Sequence, residues 1–307
     1  MVHYMAGDDI DALFFYEPGQ HAQLVPVLST EEMCRVFGAS AAILLGRGSF
    51  GETWRLSGMV GGADPDVAVK VILNGAYPTE RLAREVEGLR RTSSNHVVRL
   101  LGTSGVDLSI GRRAALRFEY VPGGDVDAAV AANQPTYEQI NAFASGVLAG
   151  VVAMHRTDTV HRDLKPENIA LRGGDWTQPV LLDLGLAKIL DMDTMTAYPT
   201  LLGTLPFMAP EQVRMEPARK GADLWAVGVI LHLLLTGKHP FFRTADDALT
   251  RAQAHARMVA GAPALPADVP EPLRTVAARL LNKAPNERGS AARALRDLTK
   301  AEQIGVN

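Results

Sequence analysis

Three clusters in the sequence carry residue types that could handle phosphate groups. The first is Leu45-Gly46-Arg47-Gly48-Ser49-Phe50-Gly51. Glycines let the backbone approach phosphate oxygens closely and aim N–H groups at them. A purely structural hairpin turn is the alternative reading of the same residues. The segment after the motif reads as strand rather than helix, which argues against a dinucleotide-binding turn. The second cluster is Val67-Ala68-Val69-Lys70. A lysine inside an apolar strand needs a partner or a route to solvent. Glu85, in a later segment of helical spacing, can be that partner, and the pair would present the ammonium to phosphates. Glu87 is the rival. It lies about 200° from Glu85 around an ideal helix, so both cannot face Lys70. The third cluster is His161-Arg162-Asp163-Leu164-Lys165-Pro166-Glu167-Asn168, with Asp183-Leu184-Gly185 further along the chain. Carboxylate and amide oxygens suit a hard cation such as Mg²⁺, which also bridges phosphates.

Regular elements must position these residues. Residues 1–39 read as an extension with an apolar patch, Leu13-Phe14-Phe15-Tyr16, expected to pack on the first lobe. Ser29 and Glu32 offer a capping box, predicting a helix from about Thr30 to Gly38. Apolar runs at 41–46, 54–60 and 67–73, joined by turns, predict an antiparallel meander. Residues 79–92 carry Leu82, Val86 and Leu89 at helical spacing, and the runs at 96–102 and 115–121 predict two more strands. Beyond Pro122-Gly123-Gly124 the chain turns helical, at 136–156, 222–236, 245–260 and 270–282. A mostly β half and a mostly α half predict two lobes joined near residue 121. The division is therefore 1–39 extension, 40–121 first lobe, 122–303 second lobe and 304–307 tail.

The third cluster continues in order with Gly203-Thr204, Met208-Ala209-Pro210-Glu211 and Asp223-Leu224-Trp225. From about residue 40 to 300 this series resembles the eukaryotic-type protein kinase family in its Ser/Thr branch, and bacterial members most. The resemblance implies an α+β, bilobal protein-kinase fold, with a mainly antiparallel β N-lobe bearing one helix and a mainly α C-lobe. It implies transfer of the γ-phosphate of ATP, with Mg²⁺ or Mn²⁺, to Ser or Thr hydroxyls of protein substrates. Self-association for autophosphorylation between copies is compatible with it.

Residue by residue, Asp163 matches the family's catalytic-loop aspartate, which orients the substrate hydroxyl and accepts its proton. Asn168 and Asp183 match its metal ligands, Lys165 the lysine at the transferring phosphoryl group, and Lys70 with Glu85 its phosphate-holding ion pair. ATP contacts map to Gly46, Gly48, Ser49, Phe50, Gly51, Ala68, Lys70 and the gatekeeper Phe118, with hinge backbone over Glu119–Val121. Asp125 matches an acidic ribose-contacting position, with a helix N-cap as the equal alternative. Arg162 matches the arginine that pairs with an activation-loop phosphate. Thr200 is the first candidate for that phosphosite, ahead of Thr196, with Thr194 also in the loop, and Thr204 matches the substrate-site threonine. Structural roles fall to Glu211 paired with Arg288, to Asp223 capping the catalytic loop's backbone, to His161, Leu184 and Leu89 stacked between the lobes, and to Trp225 in the core. Leu184 replaces the usual phenylalanine. Thr53 and Ala170 replace a valine and a leucine that enclose the adenine, and together they predict a looser nucleotide pocket.

Two rivals share parts of this pattern. A pseudokinase scaffold would keep the fold, but Lys70, Glu85, Asp163, Asn168 and Asp183 are all present. A small-molecule kinase of the aminoglycoside-phosphotransferase type would lack Lys165 and the Thr204 to Glu211 segment.

Composition sets the outer limits. Apolar residues make up 47% and charged residues 21%, enough to bury a large core and too apolar for a disordered chain. With 31 basic and 34 acidic residues the net charge is −3, which argues against nucleic acid as partner. The single cysteine, Cys34, excludes an internal disulfide and a cysteine zinc site, and it is expected as a small buried hydrophobe. The longest apolar run, Ala226–Gly237, is too short to span a membrane, and the N-terminus carries no basic region of a signal peptide. The expectation is a cytoplasmic protein. Lysine is scarce, 7 against 24 arginines, and two of the seven, Lys70 and Lys165, fall in the clusters above.

Overall fold

The computed structural model describes residues 25–48, 51–59, 65–75, 79–182, 205–242 and 249–304. Helix α1 (Thr30–Phe37) starts where Ser29 Oγ accepts the Glu32 amide at 3.1 Å. It ends on Gly38, whose φ of 66° lies in the left-handed region open to glycine. Only half of the expected capping box forms. The Glu32 carboxylate turns instead to the sheet and accepts from the Ser109 amide at 2.5 Å and its hydroxyl at 2.9 Å. Glu32 is buried, so it takes the neighbour that offers two donors.

Five strands form one antiparallel sheet: β1 (Ala41–Gly48), β2 (Gly51–Ser57), β3 (Val67–Ile72), β4 (Leu100–Leu108) and β5 (Gly111–Glu119), in the order β1-β2-β3-β5-β4. Alternation along the strands sorts the two faces. Trp54, Leu56, Val67, Val69 and Val71 share one face, packed under Leu28 and Met33 of the N-terminal segment. Half-buried Cys34 joins the edge of that cluster. Lys70, Ile72, Leu116 and Phe118 share the other face, since Lys70 pairs with Leu116 and Ala68 with Phe118. There Ile72, Leu116 and Phe118 pack on Val86 and Leu89 of α2 (Thr79–Arg91) and run into the core of the helical half. The strand expected at 96–102 begins only at Leu100 and continues to Leu108. His96 to Val98 bond instead to Leu181, with Val98 N–H donating to Leu181 O at 3.0 Å and Leu181 N–H to His96 O at 3.0 Å. This backbone exchange stitches the sheet to the second half.

The second half contains α3 (Val126–Ala132), α4 (Tyr137–Arg156), a small hairpin of β6 (Ile169–Leu171) and β7 (Pro179–Leu181), α5 (Pro210–Val213), α6 (Lys220–Thr236), α7 (Arg251–Ala260), α8 (Glu271–Leu280) and α9 (Ala291–Ile304). Helix α6 is apolar on all sides and buried from Ala222 to Leu235, as a central core helix must be. Gly228 lets α8 approach it closely, since a Cβ there would stand 2.9 Å from the Leu280 Cβ. Short α3 starts directly after Asp125, the residue with a helix N-cap as one of its two readings, and terminal α9 lies beyond the expected helices. The helix expected from 245 is described only from Arg251, where Thr250 and Gln253 complete a capping box. A mainly antiparallel β half bearing α2 and a mainly helical half make the expected α+β bilobal architecture. Among the described residues no helix is long and apolar enough to cross a membrane.

Candidate active site

The loop after α4 is held from below by Asp223 in the first turn of α6. Its Oδ2 accepts the His161 amide at 2.9 Å and stands 2.8 Å from His155 Nε2, while Oδ1 accepts the Arg162 amide at 2.8 Å. Arg162 has φ of 65°, a conformation that costs a non-glycine residue about 1 kcal/mol or more. The surroundings hold that residue at both ends, for Gln212 Nε2 donates to its carbonyl at 3.3 Å.

From this base the next residues converge. Asn168 closes the 3₁₀ turn Pro166–Asn168, and its Nδ2 donates to Asp163 O at 2.8 Å and to Asp163 Oδ2 at 3.2 Å. His161 is fully buried. Its Nδ1 accepts the Asp163 amide at 3.4 Å, which leaves Nε2–H to donate to Leu182 O at 2.8 Å. The Leu182 amide in turn donates to Asn168 O at 2.8 Å. The backbone entering Asp183 is thus bonded to both ends of the loop carrying Asp163.

Across the cleft, Lys70 is buried in β3, opposite Thr53 of β2. Position 85 falls on the α2 stripe marked by Leu82, Val86 and Leu89. The rival Glu87 is exposed and lies 3.6 Å from Arg91 one turn on, so it takes a solvent-side partner. A Cβ on Gly51 would strike the Val71 carbonyl at 2.1 Å, so packing demands that glycine. At Gly46 and Gly48 a Cβ would meet nothing within 4 Å. Packing against the described residues does not demand those two. The buried cation, the glycine backbone and the Asp163–Asn168 oxygens fit a nucleotide with a divalent cation.

The hinge is fastened by polar contacts. Phe118 and Val121 are buried in the core. The Glu119 carboxylate accepts the Arg99 amide at 3.0 Å and reaches Arg172 Nη2 at 3.3 Å, so its side chain bridges the halves. Gly123, with φ of 125°, must be glycine because a Cβ would stand 2.0 Å from Leu171 O. Asp125 caps α3, its Oδ1 accepting the Ala128 amide at 2.8 Å, and its backbone bridges to Ala170.

In the helical half, Glu211 and Arg288 form a buried bidentate pair at 2.6 and 2.9 Å. Arg288 also donates to Gly221 O and Asn282 O at 2.8 Å each, and its guanidinium lies 5.0 Å from the Trp225 ring centre. Ser49, Phe50, Asp183, Leu184, Thr194, Thr196, Thr200 and Thr204, and the side chain of Glu85, lie outside the described residues.

Four residues that sequence reasoning passed over take part in this scaffold. His155 shares Asp223. Glu52 is buried beside the glycine turn. His239 accepts the Phe241 and Phe242 amides on Nδ1 at 3.1 Å each, and its Nε2–H donates to Pro206 O at 3.0 Å. Burial pushes its pKa down to about 3, so it remains a neutral bracket under the chain leading to Pro210. Asp127 lies near Lys165, Glu167 and Asp125. Burial first, then the Glu167 and Asp125 carboxylates, push its pKa up to about 8, against the pull of Lys165. Glu52 alone left a trace in the sequence, as an acid in phase with Trp54 and Leu56 along β2.

Comparison with known proteins places this geometry. Residues 41–298 match the family described as protein kinase domain. The serine/threonine-protein kinase PkaA of Streptomyces coelicolor is 32% identical over 281 residues, covering 86% of this chain and 50% of that protein. The probable serine/threonine-protein kinase PkwA of Thermomonospora curvata is 32% identical over 260 residues, covering 83% of this chain and 33% of that protein. The chain therefore spans about half or less of the length of these relatives. Among solved structures, Rad53 residues 1–466 in complex with AMP-PNP superimposes with a TM-score of 0.66 at 26% identity, over 83% of this chain and 64% of that one.

Proposed function

The chain belongs to the protein kinase domain family, and from that premise we propose that it is an ATP-dependent protein kinase acting on Ser and Thr hydroxyls. The observation that carries the reading is the convergence of Asn168 on Asp163, above a loop that Asp223 holds in a strained backbone state. Bound ATP would supply the transferable phosphoryl group, and a divalent cation, Mg²⁺ or Mn²⁺, would neutralise its oxygens.

The residues divide the remaining work. Lys70, with Glu85 as partner, holds phosphate oxygens from the sheet side. Asn168 and Asp183 supply oxygen ligands for the cation. Asp163 orients the substrate hydroxyl and accepts its proton, while Lys165 meets the charge on the transferred group. The glycine turn from Gly46 to Gly51, with Ala68, Phe118 and the Glu119–Val121 backbone, encloses the nucleotide. Arg162 is poised beside Asp163 to pair with a phosphate on the activation loop. Thr200 is its first candidate, with Thr196 and Thr194 behind it, and one copy would phosphorylate another. The absence of a long apolar helix among the described residues is compatible with action in the cytoplasm.

The test is incubation of purified protein with γ-labelled ATP and Mg²⁺, and then phosphosite mass spectrometry. Label is expected on Ser or Thr, Thr200 included, and is expected to vanish in Asp163→Asn and Lys70→Met. Equal label in those variants would assign the activity to a contaminant. Folded wild type that binds nucleotide without transfer would support the scaffold reading instead.

A further inference from the structure

The N-terminal segment reaches the glycine-rich hairpin through two side chains. Glu52 is 0% exposed and accepts three N–H groups, from Val27 at 2.5 Å, Leu28 at 3.3 Å and Trp54 Nε1 at 3.3 Å. Two of those donors belong to the segment preceding α1. Arg47 Nη1 donates to Val25 O at 2.9 Å, and Arg47 Nε stands 3.9 Å from Glu52 Oε1. Arg47 and Glu52 face each other across β1 and β2, one register pair before Gly48 and Gly51 close the turn.

The hairpin needs such an anchor. Among the described residues strand β1 is the sheet's edge, with β2 as its one strand neighbour. Its register shifts between Leu44 and Gly46, which breaks the ladder just before the glycines. We propose that Glu52 and Arg47 are positioning residues that strap residues 25–28 across the base of the glycine-rich hairpin, and so set how tightly the cleft holds a nucleoside triphosphate. The inference rests on the kinase reading above. A buried carboxylate must keep its donors, so hairpin and strap move together, and the hairpin is held in place before the nucleotide arrives.

The experiment uses the full chain. Glu52→Gln keeps the shape but turns one acceptor into a donor facing N–H groups. The dissociation constant for Mg-ATP, read by calorimetry, is expected to rise about fivefold or more. KM for ATP rises by the same factor, while kcat changes less than about twofold. Hydrogen exchange in residues 25–29 and in β1 and β2 is expected to quicken without any nucleotide present. Arg47→Lys, at a partly exposed side chain, guards against a folding failure of the first variant and is expected to raise the dissociation constant about twofold. An unchanged dissociation constant in both variants, with wild type binding ATP, overturns the strap and leaves the kinase reading standing. So does a fall in kcat without a change in KM. A wild type that binds no nucleotide overturns the kinase reading and the strap with it.

Discussion

The two sides of the cleft are held by different means. Below it, the loop of Asp163 and Asn168 rests on buried charges contributed from far along the chain. Asp223 caps its backbone, and the Glu211–Arg288 pair braces the helix that carries Asp223. Above it, Lys70 is placed by strand register, and the glycine turn hangs from an edge hairpin tied by Glu52 and Arg47. A buried ion network has few geometries that satisfy it, so the lower side is rigid. A hairpin at a sheet edge lacks a second strand neighbour, so the upper side depends on the Glu52 and Arg47 ties.

Substitutions can break or sharpen that contrast. The largest expected effect is Arg288→Ala, which strands a buried Glu211 carboxylate and should cost about 3–5 kcal/mol of stability, read by denaturant unfolding. A cost near zero would mean the pair is not a brace. Next comes Met33→Ala, a fully buried contact between α1 and the sheet, at about 2–4 kcal/mol. Hydrogen exchange should then quicken in the sheet half while the α4 and α6 amides stay protected. Equal loss of protection in both halves would show them to be one cooperative unit. Asp223→Asn keeps the shape but sets an amide donor against an N–H or His155, at about 1–3 kcal/mol. Phosphoryl transfer should fall by tenfold or more while ATP affinity stays near wild type. A drop in affinity instead would mean that the two sides are not independent.

The smallest effect concerns Asp127. Folded, it keeps its proton up to about pH 8, whereas an ordinary aspartate releases it near 3.8. Between those values the folded state binds more protons than the unfolded one. The group's contribution to stability is therefore greatest at low pH and is lost as pH rises through about 8. In Asp127→Asn the loss is absent. Its melting temperature should gain on wild type by about 2 °C or more between pH 5 and pH 9. A pH-independent gap would show that the carboxyl is ionised in the folded state at neutral pH.

Much of the fold could be read from local pattern. The apolar run at 67–73 placed β3, and the Leu82, Val86 and Leu89 spacing placed α2 within a residue. Where the reading failed, a distant partner had overridden a local preference. Glu32 looked like a capping-box acid but turned to Ser109, 77 residues away. His96 to Val98 looked like the start of a strand but bonded to Leu181. Asp125 had two readings, and in the structure its side chain caps α3.

By itself the sequence determined the order of motifs and therefore the family, because phosphate-handling residues must appear with particular types and spacings. It also determined which face of α2 is apolar, the face of Leu82, Val86 and Leu89. What holds those residues still was legible only through the family resemblance, which implied Asp223 as cap and Glu211 with Arg288 as brace, while the Glu52 and Arg47 ties were decided by the tertiary structure alone. The two donors that Asp223 caps lie 61 and 62 residues away, Glu211 meets Arg288 across 77, and Glu52 binds amides 24 and 25 residues upstream. No local periodicity encodes such contacts, because each forms only when burial denies a charged group its water and the nearest donor belongs to another element.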